Sequence, residues 1–564
     1  YNGGHILHLG QEKNPLSGTV TVYGRTNTVY VVSGRHCTMM FPRVLVSLIR
    51  CMLTLLGYIF NPLLDRVFSI IYDQSSKMVS PVHDDILLQS ATSLSKKIRS
   101  RQVNAVEVME AFIARVREVN PVVNAAVAER FEEALKEAQK IDEILDAESL
   151  DPEYLEDKKP FLGVPLTVKE AFAVKGMPNT AGLVIRKNKC AEFDAPVVTY
   201  LKQAGAIPFI VTNVSELCMW YESANRLYGR TSNPYDTGRI VGGSSGGEAC
   251  IIAAGGAVIG IGSDIGGSIR MPAFFNGVFG HKSSRGAVTS EGQFPIATGS
   301  DLELLSTGPI CRYAEDLLPA LRIMAGHNAN NLEFDEMVDL KSLKFYSIED
   351  DGGSLFVSTI DPQLKAAQLK VVTYLEETYR VTVEHVYLSK LKYSLEMWSA
   401  RMSSSDGTSF CQYMANCNGQ VNPYLEFFKW IFGCSNHTLP AIGLGMVEKL
   451  DFLLEGSNRK ALDTFKRLEK ELQDMLGDNG ILLYPTHPKL APYHNQPLFY
   501  PLNFAYTGIF NTLGLPVTQV PLGLSKEGLP LGIQIVTAMN KDHLSIAVAR
   551  ALEGAFGGWV NPGA

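Results

Sequence analysis

The sequence contains no CxxC pair, and its nine cysteines are an odd number scattered from Cys37 to Cys434. That spacing argues against a cysteine-held zinc site and against a disulfide framework. Each cysteine reads first as a small buried apolar residue. An excess of positive charge is missing too. Against 51 Lys and Arg stand 58 Asp and Glu, for a net charge of −7, so nucleic acid is not an expected partner. Only 19% of residues are charged and 46% are hydrophobic, which excludes a disordered chain. Two glycine motifs are also lacking. No Gly-Lys-[Ser/Thr] follows the glycine clusters, so there is no phosphate-binding loop. After Gly260 and Gly262, Ile265 stands where a dinucleotide fingerprint needs its third glycine. No cofactor and no metal are expected.

What is present begins with an apolar run, Val44 to Leu64, about the ~20 residues a spanning helix needs. Arg50 lies inside it, and Asn61-Pro62 interrupts its end. It is expected to be a membrane anchor, spanning or monotopic, with a signal peptide or a packing helix as alternatives. Because Met39 and Met40 follow a stretch of different character, residues 1–40 are expected to be an extension of uncertain origin. Residues 41–80 would be anchor and linker, and 81–564 one catalytic domain. The location this implies is membrane-associated and intracellular, on an endomembrane or a lipid droplet.

Asn104, with Glu107 three residues on, predicts a helix N-terminus. Val106, Met109, Phe112, Ile113, Val116 and Val119 then recur at helical spacing. A second amphipathic helix is expected over 128–145. From 160 onward, short runs rich in Val and Ile recur at 164–168, 207–211, 257–262, 481–485, 517–522 and 532–536. They lack strict alternation, which predicts an α/β fold with a large, mostly buried sheet covered by helices on both faces. Residues 355–480 read as mainly helical, and the aromatics of PYLEFFKWIFG suggest a cavity lining or a core.

The densest chemistry lies between Arg239 and Gly277: "RIVGGSSGGEACIIAAGGAVIGIGSDIGGSIRMPAFFNG". A nucleophile elbow fits it only loosely, at Gly242, Ser244 and Gly246, and would also need a downstream acid and His. His487 and His494 lie among prolines with no sign of such a role. Serine needs a proton acceptor, and lysine can serve when burial keeps it neutral. Lys169 ends the apolar run 164–168, so it is either buried or at a sheet edge. Asp264 and Arg270 flank Ser268 between apolar segments. Unpaired charge there is costly, so the two are expected to pair and orient the loop.

Lys169, the Gly-Gly-Ser-Ser-Gly-Gly run and the Asp-Ile-Gly-Gly-Ser-Ile-Arg run, in this order, resemble the amidase signature family over about 85–560. The apolar N-terminal segment and "TNVSELCMWYESANRLYGRTSNPYD" look most like its members acting on long-chain fatty acyl amides. The resemblance implies a mixed-sheet amidase signature fold and a Ser-Ser-Lys triad. Ser268 would be the acylated nucleophile, Ser244 the bridging serine after a cis bond from Gly243, and Lys169 the base. The N–H groups of Ile265, Gly266, Gly267 and Ser268 would form the oxyanion hole, with Ser245 in support. The implied partner is a small, lipid-like amide; membrane association is expected, and homo-oligomerisation is left open. Two alternatives stand beside this reading: a glutamine-hydrolysing, A-type component of an amidotransferase, and a non-catalytic amidase-like binding protein. Where the family often has Lys-Pro, this chain has Lys282-Ser283, which predicts a looser turn.

Overall fold

The computed structural model describes residues 62–147, 151–354, 357–403, 407–450 and 455–564, with two short strands, Val20–Val22 and Tyr30–Val32, that pair antiparallel. The chain divides into two units, Tyr1–Val67 and Phe68–Ala564. Most of the extension 1–40, and the apolar run up to residue 61, lie outside the described residues. Among the described residues no helix is long and apolar enough to cross a membrane.

Eleven strands of the second unit form one sheet. In chain order they are β1 Ala126–Glu129, β2 Pro165–Lys169, β3 Ile207–Thr212, β4 Ile259–Asp264, β5 Phe279–Lys282 and β6 Ser306–Cys311. The later five are β7 Lys344–Ser347, β8 Val383–His385, β9 Gly480–Tyr484, β10 Val517–Leu524 and β11 Pro530–Val536. Their spatial order is β8-β7-β9-β11-β10-β5-β6-β4-β2-β3-β1. All six runs expected as strands form. Every residue of β2, β3, β4, β6 and β9 is buried, as unalternating apolar runs require when both faces are covered. The run expected at 257–262 starts at Ile259 and continues through Ser263 and Asp264.

The helices that matter for the site are α1 Ala105–Val123, α2 Phe131–Ala147, α3 Gly246–Ala253, α4 Arg270–Phe275 and α5 Ser394–Met402. They are followed by α6 Pro423–Ile431, α7 Leu439–Leu450, α8 Ala505–Leu513 and α9 Asp542–Phe556. The predicted stripe of α1 is buried except for the half-buried Val106. Its cap differs from expectation. Asn104 precedes the helix, but its side chain makes no cap bond. Asp142 of α2 accepts from the N–H groups of Ala105 and Val106 instead, at 2.7 and 2.9 Å, placing a carboxylate at the positive helix end. The second helix starts at Phe131 rather than 128, because Ala126–Glu129 pairs antiparallel with β3.

The aromatics of α6 neither fill a core nor line the cavity described below. Tyr424, Leu425, Phe428, Ile431 and Phe432 are all exposed. Trp430 turns inward, to a separate cavity of about 350 Å³.

Strands β3, β2 and β4 are parallel neighbours. Lys169 is the last residue of β2 and Asp264 the last of β4, so the lysine and the loop after Asp264 share one sheet edge. In open α/β sheets that edge is where ligands bind.

Candidate active site

Lys169 enters the site from the end of β2 with its side chain wholly buried. Its Nζ lies 2.8 Å from Ser244 Oγ, 2.9 Å from Ser263 Oγ and 3.4 Å from Ser263 O. Burial holds its pKa below the usual lysine range, although Cys218, Asp264 and Glu248 pull the other way. No carboxylate pairs with it among the described residues. Behind it, Glu248 accepts from Thr167 Oγ1 at 2.5 Å and Thr212 Oγ1 at 2.8 Å. Burial pushes the Glu248 carboxyl up to about 8, and Glu170 up to about 7. Burial therefore opposes ionisation of both glutamates, and Asp264 is left as the anion whose charge favours the protonated lysine.

Ser244 sits just ahead of α3. The peptide bond from Gly243 is cis, and a Cβ at 243 would collide with the Trp220 carbonyl, so only glycine fits. From there α3 runs away from the site edge and β4 returns to it, which brings Ser268 back beside Ser244. The Ser245 N–H donates to Ser268 O at 3.1 Å, and Ser245 Oγ donates to Ser263 O at 3.3 Å. Ser244 and Ser268 both line one cavity of about 400 Å³.

The loop from Ile265 to Ser268 is held by its carbonyls and by Asp264. Trp398 Nε1 donates to Ile265 O at 2.9 Å, and Thr507 Oγ1 donates to Gly266 O at 2.7 Å. Asp264 and Arg270 pair as expected, both fully buried, at 2.9 and 3.0 Å. Asn511 Nδ2 adds a bond to Asp264 O at 2.8 Å. Arg270 also donates to Thr507 O and to Gln534 Oε1, at 3.0 and 3.1 Å. Its positive charge holds the Asp264 carboxyl well below the usual range. Of the four N–H groups expected to form an anion hole, that of Gly267 donates to Asp264 Oδ1 at 2.6 Å. Those of Ile265, Gly266 and Ser268 have no protein acceptor among the described residues. Backbone donors gathered in this way can hold a developing oxyanion.

The remaining cavity wall is mainly apolar, with Phe294, Trp398, Phe410 and Leu444 prominent, and Gln293, Ser399, Thr408 and Ser409 add polar groups. Ile296 and Val447 line it and are themselves exposed, beside the exposed Thr408. Asp301 and Glu448 are its acidic residues, and among the described wall residues there is no Lys or Arg. Cys218 also faces the cavity, where burial pushes its thiol up.

The two histidines of the 485–495 region stand outside this cavity. His494 bonds Glu222 at 2.9 Å, and His487 is buried with its pKa lowered to about 4. Nor does the turn after Lys282 loosen. Ser283 Oγ donates to Thr307 O at 2.8 Å, and Lys282 Nζ donates to Ser283 O at 2.9 Å. Sequence reasoning missed Ser263, Glu248, Trp398, Thr507 and Asn511. Thr507 and Asn511 left a signal: with Thr512 they are polar residues on a mostly apolar helix that is wholly buried.

A buried lysine bonded to a serine, with a second serine on a glycine loop of donors at the end of a parallel strand, is the machinery of amide hydrolysis. A family model described as Amidase matches residues 107–545, and the chain belongs to that family. Among its relatives, fatty-acid amide hydrolase 2 of Homo sapiens is 53% identical over 498 residues, covering 87% of this chain and 93% of that protein. The A-type component of glutamyl-tRNA(Gln) amidotransferase from Carboxydothermus hydrogenoformans is more distant, at 30% over 486 residues, covering 82% and 96%. A solved structure of fatty acid amide hydrolase shares the fold with a TM-score of 0.65 at 22% identity, over 84% of this chain and 86% of that one.

Proposed function

We propose that this amidase hydrolyses long-chain fatty acyl amides to fatty acid and amine or ammonia, through an acyl-Ser268 intermediate. The observation that carries the substrate class is the cavity wall: mainly apolar, with two acidic residues and, among the described residues, no Lys or Arg. A free amino acid such as glutamine would bring a carboxylate with nothing there to pair it. A neutral amide on a hydrocarbon chain suits the wall instead. The sequence identity to fatty-acid amide hydrolase 2, well above that to the amidotransferase component, supports the same choice.

In this reading neutral Lys169 accepts the proton of Ser244, which accepts that of Ser268 as its Oγ attacks the amide carbonyl. The N–H groups of Ile265, Gly266 and Ser268 hold the oxyanion, and Gly267 serves as the bend that frees them. When the C–N bond breaks, the proton returns through Ser244 to the leaving nitrogen. Water then attacks the acyl carbon, giving its proton to the same relay, and Ser268 is released as the hydroxyl. Asp264 and Arg270 position the loop without touching substrate. The exposed apolar surface of α6 and the exposed Ile296 and Val447 of the cavity wall fit an enzyme that takes its substrate from a lipid surface.

The deciding experiment compares kcat/KM for a long-chain primary amide and its short-chain analogue, with Ser268→Ala as the blank. Preference for the long chain, abolished by Ser268→Ala, is expected. Preference for the short chain would discard the lipid substrate. Lys169→Ala is expected to lower kcat by about 10²–10⁴-fold. Wild-type activity should fall as acid protonates Lys169, and this acidic limb should vanish in the variant.

A further inference from the structure

Away from the cavity, a buried imidazole faces two carboxylates. His543 is the second residue of α9 and keeps only 3% of its surface. Neither of its ring nitrogens has a hydrogen-bond partner, which is costly for a buried polar group. Nε2 is aimed at Glu336 Oε2, 3.6 Å away, and at Glu333 Oε2, 3.9 Å away. Both distances are too long for hydrogen bonds. The three donor atoms all lie within 4.8 Å of one another. The glutamates stand on a turn in which the Glu336 N–H donates to Glu333 O at 3.3 Å, so both carboxylates face the same way. They are about half exposed, and Glu333 Oε2 also accepts from Lys541 Nζ.

We propose that Glu333, Glu336 and His543 bind a divalent transition-metal ion of the zinc class, tying the 333–336 turn to the start of α9. One imidazole and two carboxylates are a ligand set that zinc accepts, with water completing the shell. Calcium and magnesium prefer all-oxygen shells and would not recruit the imidazole. Zinc bonds of about 2.0–2.2 Å put tetrahedral ligands roughly 3.4 Å apart, so carboxylate oxygens 3.6 and 3.9 Å from the imidazole, all three atoms within 4.8 Å of one another, close on an ion by side-chain rotation of the two exposed glutamates. Lys541 pairs with Glu333 Oε2 and competes with the ion for that one carboxylate. Its side chain is partly exposed and can leave. The site is structural: all three ligands lie outside the cavity that holds Ser244 and Ser268.

The test uses the full chain, stripped with a chelator and titrated calorimetrically with Zn²⁺, with cobalt(II) absorption as a second readout. One equivalent should bind, raise the thermal unfolding midpoint and give cobalt d–d bands of a nitrogen-ligated ion. The double variant Glu333→Gln/Glu336→Gln, changed only at exposed side chains, should bind more than about a hundredfold more weakly and lose the thermal shift. Lys541→Met should bind more tightly than wild type, because the competitor is gone. No stoichiometric binding, or binding unchanged in the double variant as at the exposed thiols Cys190, Cys417 and Cys434, would overturn the proposal.

Discussion

In the proposed relay, Lys169 owes its usefulness as a base to its surroundings. Burial opposes the charge of the lysine itself and of Glu248 and Glu170, while the charge of Asp264 is paired with Arg270. Stability should carry the same signature. Glu248 titrates near 8 in the fold against 4.5 otherwise, so between those values the folded chain holds a proton that the unfolded chain has lost. Stability from this residue is full below about pH 4.5 and declines as pH rises toward 8. Glu248→Gln, scanned by calorimetry, should match wild type near pH 4.5 and melt about 2 °C or more higher at pH 9. An unchanged difference across that range would mean that Glu248 is ionised in the fold. The reacting residues were legible in the sequence because glycine motifs mark them. Ser263, Glu248 and Cys218 were not, because nothing local distinguishes a residue that touches the lysine from any other strand or helix residue.

Among elements, the loop from Ile265 to Ser268 works because its carbonyls are tied back. Trp398 of α5 and Thr507 of α8 hold two of them, while the N–H groups of Ile265, Gly266 and Ser268 keep no protein acceptor among the described residues. Gly267 is at φ +123, and a Cβ there would overlap Thr507 Oγ1. Gly267→Ala should therefore lower kcat/KM by about 10²–10³-fold, the scale of losing an oxyanion donor. A Cβ at Gly266 would meet the Phe504 ring at 3.4 Å and Trp398 Nε1 at 3.6 Å, both ordinary contacts, so Gly266→Ala should keep most of its activity. Equal losses in steady-state assays would contradict this account of the loop. Strands were readable from their apolar runs, whereas β1 was hidden: its four residues, AVAE, continue a helical pattern, and only pairing with β3 makes them a strand. Likewise Asn104 has the right type and place for a cap, but Asp142 from the next helix supplies the bonds. The exposure of α6 was illegible because periodicity identifies an apolar face without saying whether anything covers it.

At the scale of the molecule, the proposed lipid substrate gives the apolar surface of α6 a part in delivery rather than in chemistry. Phe428 and Phe432 are exposed and do not line the cavity. Burying a Phe side chain is worth about 1.5–3 kcal/mol, so Phe428→Ser/Phe432→Ser should slow hydrolysis of a vesicle-borne long-chain amide by at least about tenfold. The rate on a soluble short-chain amide should be unchanged, and equal effects on both would show damage to the site instead. The sheet order could not be read from strand propensities, since β10 and β5 meet at its centre from distant parts of the chain. That meeting has a consequence for synthesis. Lys169, Ser244 and Ser268 leave the ribosome before the groups that brace their loop: Thr507 and Gln534 lie 237 and 264 residues beyond the Arg270 they bind. A nascent chain thus carries the side chains of the proposed relay long before it can aim them, and the proposed nucleophile stays idle until those later segments have emerged.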